Sequence, residues 1–263
     1  MTRSDMSTIT VKIGGSLAGK KESMGELVGD LALLQRLREC VLVHGGGAEV
    51  TALSKTLGCS PFFEKGIRIT SVQEMDIVEM VLSGKINKRL VRMLSSAGMN
   101  AVGVSGADGG LFSGKRISAE QVSSTRTGTI TGVRPALLEL LLARGYFPVV
   151  SSTSMDKTGE GLNINADEAA LEIAVSLQSE SLIFLSDIPG IVIGGEVLSF
   201  LAEEEALRAI QEGSISGGMI PKVKASLKAL HRGVGQIVIG EYGGTGSLEL
   251  LLSGKLGTII KLD

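Results

Sequence analysis

Tryptophan is absent from the 263-residue sequence, and aromatic residues of all kinds make up only 3% of it. Cysteine is scarce too: Cys40 and Cys59 are the only two, and they lie far apart without the spacing of metal ligands. This usage predicts buried, reduced thiols and a cytoplasmic protein.

Long apolar runs and an excess of either charge are also missing. The most apolar stretch, residues 137–142, is interrupted by Glu139, whereas a membrane-spanning helix needs roughly 20 apolar residues. The first ten residues lack the apolar run of a signal peptide. With 26 Lys and Arg against 28 Asp and Glu, the net charge of -2 favours neither nucleic-acid nor membrane partners.

Hydrophobic residues, at 43%, are plentiful enough for a sizeable core. Short β-branched runs alternate with longer periodic segments, which is typical of an α/β protein with a mainly parallel sheet. The predicted strands are 9–13, 41–44, 101–105, 147–151, 181–186 and 236–240. The predicted helices are 26–39, 48–57, 71–98, 134–144, 166–177, 203–212 and 220–232.

Two segments break this alternation, and we predict that each is a hairpin excursion from the sheet. They are residues 105–132, where Gly, Ser, Thr and Lys are frequent, and residues 152–165. No internal repeat or low-complexity tail marks a domain boundary, so we expect one domain over residues 1–263 with a soft division near residue 175.

A glycine pair follows the first predicted strand, in the run TVKIGGS at residues 10–16. The N–H groups of Gly14 and Gly15 at a helix N-terminus, with the mobile charge of Lys12, suit a phosphate. The alternative is an ordinary turn with a lysine at a strand end. The stretch nearly matches a P-loop, but Lys21 stands where a hydroxyl should bind Mg²⁺, so we reject that interpretation.

A second glycine run follows the next predicted strand, in VLVHGGG at residues 41–47. Each glycine costs about 0.5–1 kcal/mol of entropy relative to alanine, so the run indicates a ligand that touches the backbone. We expect His44 to bond to a neighbouring loop rather than to act in catalysis. Because parallel strands end at one sheet edge, the two glycine loops should face each other across a phosphate.

The order of these motifs resembles the amino acid kinase family, and in particular the branch that phosphorylates N-acetyl-L-glutamate. KIGG at 12–15 and HGGG at 44–47 begin a series that covers nearly the whole chain. The later motifs are KGIRIT at 65–70, LNINAD at 162–167, LSDIPG at 185–190 and GGMIPKV at 217–223. The resemblance implies a three-layer αβα sandwich, with residues 1–175 as acceptor and dimerisation lobe and 176–263 as nucleotide lobe.

The resemblance also implies roles for single residues. Lys12 and Lys222 would neutralise the transferred phosphoryl group, and Asp167 would orient both lysines. The implied acceptor-binding residues are Gly46, Gly47, Arg68, Asn163 and Asn165, with Arg68 on the α-carboxylate. The implied nucleotide-binding residues are Gly14, Gly15, Asp187, Gly190, Ser214, Gly217, Gly218 and Met219.

Simpler structural explanations exist for several of these residues. Arg68 alone would be a surface charge, although its planar fork suits a carboxylate. Loop, cap and turn positions would explain Asn163, Asn165, Asp167 and Asp187. Lys222 favours function, because a lysine in a helical first turn opposes the helix dipole unless an anion is its partner.

The implied reaction moves the γ-phosphoryl group of ATP, accompanied by Mg²⁺ but no protein-held metal, to the side-chain carboxylate of N-acetylglutamate in arginine biosynthesis. No general base is needed, because the carboxylate is already ionised. The alternatives are a kinase for carrier-linked aminoadipate or glutamate, and a nucleotide-binding member without catalysis. A dinucleotide-dependent oxidoreductase is excluded because the first loop lacks G-x-G-x-x-G.

The helix predicted at 71–98 carries more apolar residues than one groove needs: Met75, Val78, Met80, Val81, Leu82, Ile86, Leu90 and Met93. We expect it to bend or to dimerise, as a corresponding helix does in the family, and ordinary core packing is the alternative. Arginine-inhibited members carry a long helix before KIGG, and only eleven residues precede Lys12 here. The resemblance therefore implies a homodimer insensitive to arginine.

Overall fold

The computed structural model describes residues 6–15, 17, 21–64, 66–117 and 125–262. Ser16 and Lys65, which belong to the motifs above, lie outside the described residues. Within the described ranges, no helix combines the length and apolar character that a membrane span requires.

Strands and helices alternate along the chain. The strands are β1 (Thr8–Ile13), β2 (Glu39–His44), β3 (Phe62–Glu64), β4 (Ile67–Ile69), β5 (Ala101–Ser105), β6 (Phe112–Arg116), β7 (Thr127–Val133), β8 (Phe147–Ser151), β9 (Thr153–Met155), β10 (Gly161–Ile164), β11 (Ser181–Ser186), β12 (Val192–Ile193), β13 (Glu196–Val197), β14 (Phe200–Ala202), β15 (Gln236–Glu241) and β16 (Thr258–Lys261). The α-helices are α1 (Lys21–Leu34), α2 (Gly47–Thr56), α3 (Val72–Glu79), α4 (Asn87–Ser96), α5 (Ala136–Ala143), α6 (Ala166–Ser176), α7 (Glu203–Gln211), α8 (Met219–Leu230) and α9 (Ser247–Leu252).

An eight-stranded sheet lies at the centre, in the order β14-β16-β15-β11-β1-β2-β8-β5. From β15 to β5 all neighbouring strands are parallel, and these are the strands predicted from the sequence. Only β16 runs antiparallel to its neighbour β15. The mainly parallel sheet is therefore confirmed. Strands β14 and β16, at one edge of the sheet, were not predicted. Both are short, and β14 immediately precedes a helix in the sequence.

Helices cover both faces of the sheet, which confirms the three-layer αβα sandwich. Side chains alternate along the strands, so Val41 and Val43 belong to one core cluster and Leu42 to the other. Helices α5 to α8 pack over the first cluster, and α1 to α4 with α9 over the second. Both clusters contain residues from either side of position 175, and the soft division into lobes stays a prediction.

The two predicted excursions build one small closed barrel with the strand order β10-β7-β6-β9. As predicted, each forms a hairpin: β6 pairs with β7, and β9 with β10, both antiparallel. Parallel contacts of β7 with β10 and of β6 with β9 close the barrel. This closure was not predicted, because it joins segments that lie apart in the sequence.

Two predicted helices differ from the observed ones. Helix α1 covers Lys21–Leu34 instead of 26–39, because Glu39 belongs to β2 and pairs with Thr8 of β1. The segment predicted as one helix over 71–98 consists of α3, a π-helix at Met80–Ile86, and α4. The segment is therefore interrupted by a π-helix, where the sequence predicted a bend or a dimer contact.

Most of the apolar residues on this segment pack inside the single chain. Six of those named above are buried: Met75, Val78, Val81, Leu82, Ile86 and Leu90. Met80 is 53% exposed and remains available to a second subunit. Core packing therefore explains most of the apolar surface that the sequence suggested for a dimer.

The two cysteines are free, and Cys40 is buried as expected. Burial raises the pKa of the Cys40 thiol to about 12, so it remains protonated. Cys59 is only half-buried, because it follows α2 in a surface turn.

Candidate active site

The two glycine loops face each other at the carboxyl edge of the sheet, as predicted. Strands β1 and β2 are in parallel register, with Ile13 opposite His44, so both loops leave the sheet at the same level. A methyl group added at Gly15 would lie 3.7 Å from the Gly46 Cα. The loops therefore approach within van der Waals contact.

Two lysines converge on one aspartate at this edge. Lys12, on β1, places Nζ 2.7 Å from Asp167 Oδ1, and Lys222, in the first turn of α8, places Nζ 3.2 Å from Asp167 Oδ2. The lysine side chains are 14% and 17% exposed and that of Asp167 33%, so the cluster is partly open to solvent. The structure thus brings together the three residues that were predicted to be catalytic.

Asn165 leaves the Asp167 side chain free for this role. The N-cap of α6 is Asn165, whose Oδ1 accepts a hydrogen bond of 2.8 Å from the Asp167 N–H. The alternative explanation of Asp167 as the helix cap is therefore wrong. Asp167 therefore lies within the first helical turn, and its carboxylate reaches both lysines.

The electrostatics of the cluster favour an anionic ligand. Burial raises the pKa of Asp167, but the charges of Lys12 and Lys222 outweigh this effect, and the pKa lies below its ordinary value. The Lys222 ammonium also lies 4.7 Å from the centroid of the Phe184 ring. One carboxylate balances two ammonium groups, so the cluster carries a net positive charge suited to phosphate.

A cavity of about 400 Å³ opens beside Lys12. The predicted site residues that line it are Lys12, Gly15, Gly46, Gly47, Arg68, Asn163 and Asn165. All five predicted acceptor-binding residues therefore share one space with a predicted catalytic lysine. Their individual roles stay predictions.

Arg68 is buried, at 9% exposure, instead of being a surface charge. Its Nη2 donates hydrogen bonds to the Gly47 carbonyl oxygen, at 3.2 Å, and to the Thr51 hydroxyl oxygen. Its Nη1 lies 3.6 Å from Glu74 Oε1, and its Cζ lies 4.7 Å from the centroid of the Phe63 ring. Burial lowers the pKa of Arg68, and the Glu74 charge opposes that shift.

The glycines of the HGGG run line the cavity, and one of them is also required by close packing. A Cβ at Gly46 would lie 2.1 Å from Ile86 Cδ1 and 2.8 Å from Leu82 Cδ2, whereas a Cβ at Gly47 would meet no described atom within 4 Å. Glycine at position 46 is thus required by contact with the π-helix. The expectation that a ligand accounts for the whole run is too broad.

His44 has the structural role expected of it. It is fully buried, with Nδ1 3.0 Å from the Gly45 carbonyl oxygen and Nε2 3.2 Å from Asn87 Nδ2. Burial lowers its pKa to about 4, so the ring is neutral at physiological pH.

Several polar residues that line the cavity or contact Arg68 were not predicted from the sequence. Thr51 and Glu74 contact Arg68 from α2 and α3, respectively. Glu168 lines the cavity, and its Oε1 accepts hydrogen bonds from the Thr129 hydroxyl, at 2.5 Å, and the Ile130 N–H, at 2.7 Å. The spacing of Ser71 and Glu74 is a capping-box signal, which marks the start of α3 but not the contact with Arg68.

The predicted nucleotide-binding residues do not line one common cavity. The Gly14 N–H donates to the Leu185 carbonyl oxygen at 3.2 Å. Asp187 lines a small cavity of about 30 Å³ with Glu241 and Tyr242. These positions still lie at the carboxyl ends of β1, β11 and β15, the edge that carries the lysine cluster.

Gly190 is a packing residue, because an added Cβ would lie 2.7 Å from both Thr258 Oγ1 and Val197 Cγ1. Four other predicted nucleotide residues belong to the turn that leads into α8 and its Lys222, whereas Gly15 lines the acceptor cavity. In this turn Ser214, Gly217 and Gly218 are exposed and Met219 is half-buried. Nothing within the described part of the chain comes within 4 Å of a Cβ added at Gly217 or Gly218, so this backbone is open to a ligand.

Comparisons with known proteins agree with this geometry. The model of the Amino acid kinase family matches residues 7–241. The acetylglutamate kinase of Leptospira biflexa is 38% identical, covering 97% of this chain and 91% of its own length. That of Geobacillus stearothermophilus is 40% identical, covering 88% and 89%.

Solved structures share the fold. The protein smu.665 from Streptococcus mutans superposes with a TM-score of 0.83 at 26% identity and covers 100% of both chains. Giardia lamblia carbamate kinase bound to AMP-PNP has a TM-score of 0.71 at 16% identity and covers 99% of this chain, a likeness of fold alone.

Proposed function

Because this chain belongs to the amino acid kinase family, we propose that it transfers the γ-phosphoryl group of ATP to the side-chain carboxylate of N-acetyl-L-glutamate. This is a step of arginine biosynthesis. Relatives named acetylglutamate kinase, 38% and 40% identical over most of the chain, support this substrate. Kinase activity and the use of ATP follow from the same relatives.

The observation that carries the proposal is the meeting of Lys12 and Lys222 at Asp167 beside the cavity. Phosphoryl transfer between two anions depends mainly on position and charge neutralisation. Lys12 is the residue that belongs both to the lysine cluster and to the cavity wall, so we place the transferring phosphoryl group there. Asp167 orients both ammonium groups.

In the proposed reaction a carboxylate oxygen of the acceptor attacks the γ-phosphorus of ATP, and the bond from that phosphorus to the β,γ-bridging oxygen breaks. The products are an acyl phosphate and ADP. The carboxylate attacks in its ionised form, so no protein base takes a proton. Lys12 and Lys222 stabilise the charge on the transferring group. N–H groups of the two glycine loops orient its oxygens, except that of Gly14, which donates to the Leu185 carbonyl oxygen instead of being free for phosphate as expected.

Mg²⁺ would accompany ATP and neutralise charge on its β- and γ-phosphates. Both oxygens of Asp167 are engaged by lysines, so this carboxylate does not offer a free ligand. We therefore assign the ligands of the ion to phosphate oxygens and water. Asp187, Gly190, Ser214, Gly217, Gly218 and Met219 remain the proposed nucleotide contacts.

In the acceptor cavity, we assign Arg68 to the α-carboxylate and keep Asn163 and Asn165 as further substrate contacts. The backbone of Gly46 and Gly47 completes this wall. The proposal includes a cytoplasmic homodimer without nucleic-acid or membrane partners.

The test is a comparison of acceptors. ADP release would be measured with N-acetylglutamate, with unacetylated glutamate and with carrier-linked glutamate or aminoadipate, and hydroxylamine would trap the acyl phosphate as a hydroxamate. We expect ADP and hydroxamate in equal amounts with N-acetylglutamate and little of either with the other acceptors. Preference for a carrier-linked acceptor would replace the proposed substrate, and no turnover of any acceptor would leave a non-catalytic nucleotide-binding protein.

A further inference from the structure

The acceptor-site arginine is half of a buried ion pair. The side chains of Arg68 and Glu74 are 8% and 5% exposed, and Nη1 of the first lies 3.6 Å from Oε1 of the second. A buried guanidinium cannot shed its proton, so it requires a negative partner even when no acceptor is bound. Glu74 provides that charge.

The two amino groups of this guanidinium have different surroundings. Nη2 uses its two N–H donors on the Gly47 carbonyl oxygen and the Thr51 hydroxyl oxygen. Nη1 is buried, and it has no hydrogen-bond partner among the residues that the structure describes. At 3.6 Å, Glu74 Oε1 attracts Nη1 by charge without forming a hydrogen bond. Because Nη1 is buried, its side of the guanidinium faces Glu74 and not the open cavity.

Glu74 is itself fixed in place by the start of α3. Its Oε2 accepts from the Ser71 N–H at 3.5 Å, and its own N–H donates to the Ser71 hydroxyl oxygen at 3.2 Å. These two contacts form a capping box, which secures the first turn of the helix. The carboxylate that faces Arg68 is thus anchored to a rigid element.

We propose that Glu74 is a positioning residue for the acceptor: from the buried side it holds the Arg68 guanidinium in the orientation in which its cavity-lining part meets the α-carboxylate of the incoming substrate. The inference rests on the proposed function, in which Arg68 binds that carboxylate. Glu74 itself touches neither substrate nor phosphate. It acts by fixing the orientation of the Arg68 guanidinium, which without Glu74 would be held only through Nη2. A guanidinium that is already oriented loses less entropy when the substrate binds.

The test is steady-state kinetics at saturating ATP with N-acetylglutamate as the varied substrate. In Glu74→Ala we expect KM to rise by about tenfold, as for the loss of one well-placed charged contact, while kcat changes by less than about twofold. Glu74→Gln keeps the shape of the side chain but removes the charge that attracts Nη1, so we expect a rise in KM between those of the wild type and Glu74→Ala.

Two controls separate positioning from helix stability. Ser71→Ala removes the hydroxyl that caps α3 but keeps the Ser71 N–H that holds Glu74 Oε2, so KM should not change. The second control uses 4-acetamidobutanoate, which is N-acetylglutamate without its α-carboxylate. Glu74→Ala and the wild type should have the same KM for this acceptor, because the group that Arg68 recognises is missing.

Several results would overturn the inference while leaving the proposed function in place: an unchanged KM in Glu74→Ala, an equal rise in KM in Ser71→Ala, or an equal loss with 4-acetamidobutanoate. If Glu74→Ala does not fold, Glu74→Asp keeps the charge but withdraws it by one methylene. The inference then requires an intermediate rise in KM in this variant. A wild-type enzyme that does not turn over N-acetylglutamate would instead refute the proposed function.

Discussion

Lys12 and Lys222 engage different oxygens of a single carboxylate, that of Asp167, although they come from strand β1 and helix α8, which lie far apart in the sequence. Lys12 is fixed by the parallel pairing of β1 with β2 and β11. Lys222 is fixed by α8, which packs on the same sheet through Val223. The rigid core therefore sets the separation of the two ammonium groups, as electrostatic stabilisation of a phosphoryl group requires.

Replacing either lysine should abolish most turnover without unfolding the protein. In Lys12→Ala and in Lys222→Ala we expect kcat to fall by about 10²–10³, the loss seen when one preorganised charge or donor is removed from a transition state. ADP release measures kcat, and thermal unfolding reports the fold.

Lys224→Ala is the matched control, because Lys224 lies on the same helix as Lys222 but is exposed. It should retain wild-type turnover. Unchanged kcat in both Lys12→Ala and Lys222→Ala would refute their assignment.

The sequence predicted the parallel sheet and the meeting of the two glycine loops because these features depend on local patterns. Strand–glycine–helix runs fix where each loop leaves the sheet, and parallel pairing then brings the loops together. The contact of Arg68 with Glu74 was not predictable in this way. It depends on how the β3–β4 hairpin and α3 pack, and an isolated arginine in a sequence is more often exposed.

The barrel and the π-helix show the same limit. Periodicity identified the apolar face of the 71–98 segment but not the π-helix at Met80–Ile86, whose Leu82 and Ile86 lie against Gly46. Likewise, the hairpins β6–β7 and β9–β10 were predicted singly, while their closure depends on pairings between distant segments.

Gly46 and Gly47 should respond differently to the same substitution. Gly46→Ala forces a methyl group against Ile86 and Leu82, so we expect a loss of about 1–3 kcal/mol in the free energy of unfolding. Gly47→Ala meets no described neighbour and should cost less than about 0.5 kcal/mol, but it projects into the acceptor cavity and should raise KM for N-acetylglutamate. Urea unfolding and kinetics measure the two effects, and equal stability losses would contradict this division.

Met80 provides a test of the proposed homodimer. It is 53% exposed, and Val72, on the same helical segment, is 49% exposed. We expect the wild type to sediment as a dimer and Met80→Glu to shift it towards monomer, because a charge in an apolar interface is costly to desolvate. Val192→Glu, at a 45% exposed apolar position on β12, should leave the mass unchanged. A monomeric wild type, or dissociation by the Val192 variant, would exclude this interface.

His44 should make folding stability depend on pH in the mildly acidic range. Burial lowers its pKa from 6.5 to about 4, so below pH 6.5 the unfolded chain binds a proton that the folded chain refuses. The stability contributed by the neutral ring is present above pH 6.5 and is lost as the pH falls towards 4. From that shift we expect a loss of about 3 kcal/mol across this range.

Urea unfolding at several pH values would measure this loss, and the chain offers a control because it contains only two histidines. His44→Gln should be less stable than the wild type at pH 7 but should show a flatter decline between pH 6.5 and 4. His231 is half-exposed and pairs with Glu203 at the surface, so His231→Gln should retain the wild-type slope. The prediction is contradicted if His231→Gln flattens the dependence of stability on pH and His44→Gln does not. The burial of His44 would then not be the origin of the acid sensitivity.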